Sequence, residues 1–537
     1  MSAIPTNAAG RTTPSALRST WVPLAIAAIA FLFGVYAALY YSRLGLALTH
    51  YDARAHLVVA RRILDSLTPG WQQIGAVWLP LPHVLNMLPV QVDAWYRSGA
   101  SAIALSVTSM TVTTWALARF TVRTTGSVVG GVAGAALLML NPNLLYLQST
   151  PMTEPLLLAT CLLAMALTAD WVDADGTAGT RAAGWAIVAA CMTRYEAWPV
   201  CGALIALAWL ALLRRGVPIG TSLRRTIRLA TYPAIALVLF SANSRWTTGA
   251  WFVPSGFFVP ENEALGHAAL AFSQVRESVV RLSGDAWLWP AYSASLLVVV
   301  AAARRRSHAV LLLVLALAAA AVLPWYAFYQ GHPLRIRYGL PLVAACAALT
   351  ATGIGLIWRP LRVPAAAAVI VWALQSSPFT AHAPMIAEAQ RDATNKVGRG
   401  SVTNYLRDHW DGTTIMMSMG SLAHYMHDLT ELRARVRDFL QEGNEQLWVH
   451  AAAQGPRGFV RWVVIEERAE GGDALFQAAQ RDPHFLDGFV RVAEGGGVAL
   501  YRATDRQLPT PNSQSEFHWR LGVGGWELTS FRSGDAP

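Results

Sequence analysis

Eleven predominantly apolar runs constrain this chain more than any other feature, most of them close to the roughly 20 residues that a membrane-spanning helix needs. They fall at 21–41, 99–118, 126–141, 154–172, 182–193, 199–213, 229–245, 285–303, 307–329, 338–358 and 363–378. Inside a bilayer no water meets the backbone amides, so such runs satisfy them internally as helices. One large soluble core is excluded, because only 14% of the residues are charged where soluble domains carry about 25%. Trp, at 21 residues, suits the membrane–water boundary, where ring and N–H are both accommodated. The expected fold is therefore an α-helical polytopic membrane protein with about 11 transmembrane helices and a more polar C-terminal region, 379–537.

Residues 1–20 are polar and include Arg11 and Arg18. The following run is too long for a signal-peptide core and lacks an obvious cleavage site, so it reads as an uncleaved first helix behind a cytoplasmic tail. The net charge of +10 is carried almost wholly by arginine, Lys396 being the only lysine. No basic patch with interleaved aromatics appears, so nucleic acid is not an expected partner. Instead Arg119 and Arg123, Arg214 to Arg228, Arg304 to Arg306, and Arg359 and Arg362 follow alternate apolar runs. They fall on one side, the cytoplasmic one, if 182–213 crosses twice with a turn at Thr193–Trp198. That threading places the N-terminus inside, the C-terminal domain outside, and Asp52, Glu154, Arg194, Glu196, Arg335 and Arg337 on one outer face. The four cysteines lie within apolar runs without metal-ligand spacing and read as small helix residues.

The outer segments exceed ordinary loops. In the first, 42–98, Ala53–Asp65 alternates Leu57, Val58, Ile63 and Leu64 with Arg54, Arg61, Arg62 and Asp65, a pattern expected to lie along the membrane surface. The stretch Trp78-Leu79-Pro80-Leu81-Pro82 interrupts any helix. A second outer loop, 246–284, is rich in Trp, Phe, Pro and Gly and long enough for a lid. In 379–537, strands are expected at Thr414–Met419 and Val460–Ile465, a hairpin around Gly495-Gly496-Gly497, and helices near 386–409, 430–441 and 473–481, giving a small α/β domain.

Several residues can carry chemistry. Asp52, in Tyr51-Asp52-Ala53-Arg54-Ala55-His56, is placed to act as a general base or to cap the helix that follows; Arg54 and His56 on the same segment are further candidates for substrate contact. Glu154, in Met152-Thr153-Glu154-Pro155, either complements a helix dipole or binds substrate. Arg194 and Glu196 sit inside an apolar hairpin, where charges pair with each other or serve a site. Arg335 and Arg337 stand on the outer face against the charge rule. Their guanidinium forks suit a phosphate, with lipid-headgroup contact as the alternative. His424, Tyr425 and His427 of the outer domain are candidates for acceptor contact, with incidental surface residues as the alternative.

These motifs, in this order over residues 20–360, resemble the GT-C superfamily, in the branch that holds protein O-mannosyltransferases and lipid A aminoarabinose transferases. The carrying features are Tyr51-Asp52, Trp78 to Pro82, Met152 to Pro155, Thr193 to Glu196, and Arg335-Ile336-Arg337-Tyr338-Gly339-Leu340-Pro341-Leu342. The resemblance implies an inverting transfer of a sugar from a polyprenyl-phosphate carrier to a periplasmic acceptor, which is a protein, lipid or polysaccharide, at the bacterial cytoplasmic membrane. It implies Asp52 as base, Glu154 as the second-loop acid and Arg337 at the donor phosphate. Ala53 stands where many relatives have a second acid, and no metal or other cofactor is expected. A transporter or flippase for a lipid-linked or anionic substrate is the alternative, since intramembrane Arg and Glu also suit one.

Overall fold

The computed structural model describes residues 14–74, 77–249, 251, 262–469, 472–504, 517–522 and 525–530. They form two compact units, one of residues 1–65 and 69–393, the other of 66–68 and 394–537.

The described residues of the first unit build helices and their connections: α1 Pro14–Arg43, α2 Tyr51–Arg61, α3 Leu81–Asn86, α4 Asp93–Ser98, α5 Ala100–Thr125, α6 Val128–Leu140, α7 Pro142–Leu147, α8 Glu154–Asp173, α9 Thr180–Cys191, α10 Ala197–Arg215, α11 Ile219–Thr248, α12 Ala268–Ser283, α13 Leu288–Arg304, a 3-10 run Arg306–Ala321 leading into α14 Val322–Tyr329, α15 Leu340–Leu356, α16 Arg359–Gln375 and α17 Pro384–Ala389. Among the described residues, seven helices are long and apolar enough to cross a membrane. The other four expected spans fall on α6, α9, α11 and α16, which are shorter or more polar. The stretch 182–213 is divided between two helices, α9 and α10, with a turn at residues 192–196.

Close packing depends on small side chains, because a bilayer gives helices no hydrophobic reason to associate and contact area must come from backbone approach. Gly130 and Gly134 of α6 share one helix face. A Cβ on Gly130 would stand 2.5 Å from the Ala351 carbonyl oxygen of α15, and one on Gly134 2.6 Å from the Ala351 Cβ. The four cysteines are buried and unbridged.

Three expectations for this unit are corrected. The helix after Asp52 does not lie open on a membrane surface, since Ala53 through Arg61 are all buried. Its charges are absorbed by ion pairs: Arg54 with Asp392 at 3.1 Å, and Arg61 with Asp65 at 2.8 Å and Asp93 at 2.6 Å. The loop 246–284 is not all loop, because α12 occupies 268–283; its aromatic stretch, 252–261, lies outside the described residues. The polar region does not separate at 379, since α17 through Ala393 belongs with the helices. Asn143 makes that connection: its Oδ1 accepts the Met385 N–H at 2.9 Å while its Nδ2 donates to the Leu282 carbonyl at 2.7 Å.

The second unit is α/β. Its five-stranded sheet has the order β2-β1-β3-β5-β4, with β1 Ile415–Met417, β2 Phe439–Leu440, β3 Trp462–Glu466, β4 Phe489–Gly495 and β5 Val498–Ala503. β1 runs parallel to β2 and β3, and β3, β5 and β4 are antiparallel. The expected strands and the Gly-turn hairpin are present, but 430–441 forms short 3-10 turns and β2 instead of a helix. His424, Tyr425 and His427 are buried, not surface residues, and the Tyr425 hydroxyl meets Thr403 Oγ1 at 3.0 Å.

Candidate active site

Four separate segments of the first unit bring charged side chains to one place. The first is the start of α2. His50 Nδ1 accepts the Asp52 backbone N–H at 3.1 Å and so caps the helix. Asp52 is therefore not the cap; it sits in the first turn with its carboxylate directed elsewhere. The second is the start of α8, where Ser106 Oγ donates to the Thr150 carbonyl at 2.8 Å and fixes the turn before Glu154. Pro155 is tolerated beside it, since the first helical turn needs no N–H there. The third is the α9–α10 turn with Arg194 and Glu196. The fourth is the 3-10 turn Ile336–Gly339, which carries Arg337. Here α12 comes close: a Cβ on Gly339 would stand 2.9 Å from Ser278 Cβ.

The charges interlock. Arg337 Nη1 lies 2.5 Å from Asp52 Oδ2, and Arg337 Nε 3.9 Å from Glu154 Oε1. Arg194 reaches Glu154 at 3.2 Å and Glu196 at 2.7 Å, and donates to Thr153 Oγ1 at 3.0 Å. Glu154 is 2% exposed, yet among the described residues neither of its oxygens accepts a hydrogen bond, nor does Arg337 Nε donate one. Buried polar atoms are normally satisfied, so this gap points to a ligand. Burial works against ionisation of Asp52, but Arg337 and, less strongly, His50 and His56 hold its carboxyl below the usual carboxylate range.

A second layer supports the first. Because His50 Nδ1 accepts a hydrogen bond, a neutral ring carries its proton on Nε2. That nitrogen faces Glu388 Oε1 at 3.8 Å and Arg337 at 3.2 Å. Glu388 is itself buried, and despite this His50 and Arg337 lower its pKa. Arg335 is half-buried and near enough to act on Tyr51 and Glu388. His56, one turn beyond Asp52, shares its helix face and meets His83 of α3, Nδ1 to Nε2, at 3.0 Å. The Trp78 ring lies 4.1 Å from that of His56.

Of the residues singled out from the sequence, Asp52, Glu154, Arg194, Glu196 and Arg337 thus form one linked set, with His56 and Arg335 beside it. Arg54 is turned to Asp392. His50, His83 and Glu388 were not singled out. The spacing Asp52-x-x-x-His56 was a usable signal for His56, but none marked Glu388. Among the described residues no group of three His, Cys, Asp or Glu side chains gathers to hold a metal.

No family model matches the chain, and no curated protein matches it. Solved structures do. The crystal structure of ArnT from Cupriavidus metallidurans in the apo state is 12% identical, with a TM-score of 0.54 over 88% of this chain and 97% of that one. ArnT from the same organism bound to undecaprenyl phosphate is 12% identical, with a TM-score of 0.51 over 89% and 99%. This chain has the ArnT fold. The match extends over nearly the full length of both chains, so the likeness is one of overall fold.

Proposed function

We propose that the chain is an inverting glycosyltransferase that moves a sugar from a polyprenyl-phosphate carrier to an acceptor on the periplasmic face of the bacterial cytoplasmic membrane, with its N-terminus inside and its C-terminal unit outside. The observation that carries this reading is the Asp52–Arg337–Glu154–Arg194 set, in which both oxygens of Glu154 and the Nε of Arg337 are buried without hydrogen bonds. One of the ArnT structures sharing the fold holds undecaprenyl phosphate, which supports a carrier of that class.

Asp52 takes the proton of the acceptor hydroxyl as that oxygen attacks the anomeric carbon. The bond to the carrier phosphate breaks on the opposite face, through a transition state with oxocarbenium character. Arg337 receives the phosphate, whose charge grows as it leaves, so the contact strengthens in the transition state. Without donor, Arg337 holds Asp52 ionised but weakly basic. A phosphate that draws Arg337 away leaves Asp52 buried with less positive charge, and its proton affinity rises. Donor binding in this way prepares the base. Arg194 and Glu196 hold Glu154 in position for sugar hydroxyls. No metal or other cofactor enters this scheme.

The test supplies the purified full chain with labelled undecaprenyl-phosphate sugars and envelope acceptor fractions. Label transferred covalently, with release of undecaprenyl phosphate, is the expected result. Movement of the labelled lipid between leaflets without covalent change would make the chain a transporter.

A further inference from the structure

Two charge pairs cross between the start of α2 and the segment that ends the first unit, and they are in register. His50 faces Glu388, and Arg54 donates to Asp392 at 3.1 Å. The step is four residues on each side, 50 to 54 and 388 to 392. Residues four apart share a face of a helical stretch. α17 runs directly into the 3-10 turn Gln390–Asp392, so Glu388 and Asp392 present one acidic face to His50 and Arg54. Asp52 stands two residues from each of that pair, and residues two apart do not face the same way. The segment thus grips the back of α2 while the Asp52 carboxylate points forward to Arg337.

The segment is itself firmly seated. Met385, Ile386 and Ala389 are buried in the helical core, and Asn143 accepts the Met385 N–H at 2.9 Å. Ahead of it, Phe379 packs among Phe33, Tyr36 and Tyr40 of α1 with ring centroids 5.1–5.6 Å apart. Glu388 also reaches the base through one imidazole. Standing 3.8 Å from His50 Nε2, it favours the tautomer with the proton there, which leaves Nδ1 to accept the Asp52 N–H.

Asp52 needs such a grip. Among the described residues its one ion pair is with Arg337, and the reaction draws Arg337 to the phosphate. The far end of α2 stays pinned through Arg61, held by Asp65 and Asp93. At the near end the pairs to Glu388 and Asp392 remain. We propose that residues 383–392 are a clamp that keeps Asp52 in place for the acceptor hydroxyl once Arg337 has turned to the phosphate, with Glu388 and Asp392 as positioning residues. This role rests on the transferase reading above. Arg54 then serves the reaction through the clamp and not by touching substrate.

The test follows transfer from labelled undecaprenyl-phosphate sugars to envelope acceptor fractions by the full chain in lipid nanodiscs, with titration of undecaprenyl phosphate and thermal melting beside it. Arg54→Leu/Asp392→Leu removes one grip without leaving a buried charge unpaired, a replacement that is often neutral for stability. His50→Asn removes the other and keeps a strong N-cap at the start of α2. Each should lower kcat by about tenfold, against the roughly hundredfold that a full ångström of misplacement can cost. Donor KM and carrier affinity should stay within about twofold, because Arg337 is retained. Asp392→Glu, which keeps the charge pair, should transfer at close to the wild-type rate. Wild-type kcat in either folded variant overturns the proposal. So does a loss of carrier affinity equal to the loss of kcat, which would mean that the whole site had shifted and not the base alone. If the double substitution does not fold, His50→Asn decides by itself. If wild type transfers sugar to no acceptor, the transferase reading fails and the clamp with it.

Discussion

Helix α8 joins two clusters built from the same residue types, and they behave differently. A 20-residue helix spans about 30 Å, with Glu154 at one end and Asp170 and Asp173 at the other. At the far end Asp170 pairs with Arg119 at 2.6 Å and also with Arg123, while Asp173 meets Arg123 at 3.3 Å and Arg215 at 3.5 Å. Arg215 also reaches Asp175 at 2.8 Å. Those side chains are 20–51% exposed, so water screens their charges, although Asp170 Oδ1 and Arg119 Nε are themselves buried without a hydrogen bond. At the near end Glu154 is 2% and Arg337 9% exposed, and bonding is incomplete. Charge alone thus does not mark a site; the two clusters differ in how deeply their charged side chains are buried and crowded. The far cluster fastens helices, and the near one is the site we propose for the donor.

The sharpest way to break this contrast is to neutralise one acid at each end. Asp52→Asn should cut transfer by about 10³-fold, within the range for a lost general base, while the protein stays folded by thermal melting. Asp170→Asn should leave transfer intact and lower stability by about 1 kcal/mol or less. If Asp170→Asn abolishes transfer, the two ends are not separable.

Glu388→Gln should have a smaller effect, about tenfold on kcat with little change in KM, because Glu388 acts through His50 and Arg337 and not on the substrate. Loss of KM alone would place Glu388 against the donor.

The near end should also dominate the response to acid. His83 has its folded pKa lowered to about 3 from 6.5, so the unfolded chain takes up the proton first. Stability present at neutral pH is then lost as pH falls from about 6.5 toward 3, by at most about 1.4 kcal/mol per pH unit for this group. Asp52, with a depressed carboxyl pKa, adds a further loss below its unfolded value, near pH 4. Melting of His83→Phe should show a flatter profile across the first window. At the far end Asp175→Asn should cost about 0.5 kcal/mol or less, since that pair is half-exposed.

The sequence made the near end legible in part. Apolar length and arginine placement located the helices and the turn at 192–196, and the same threading put Asp52, Glu154, Arg194, Glu196 and Arg337 on one face. It misplaced α2, because Arg54 and Arg61 looked solvated until Asp392 and Asp93 were seen to meet them. Arg54 and Asp392 are 338 positions apart, a pairing that no local pattern contains. Glu388 was hidden for the same reason, in a polar stretch assigned to the outer domain. Asp52 looks more like a cap than a base in the sequence, because the real cap is His50, a residue type rarely used there.

The most direct test of the account is titration of undecaprenyl phosphate against wild type and Arg337→Gln. Loss of a desolvated guanidinium–phosphate contact predicts binding weaker by at least about tenfold, with Asp170→Asn as the unaffected control. Equal affinity in wild type and Arg337→Gln would contradict it.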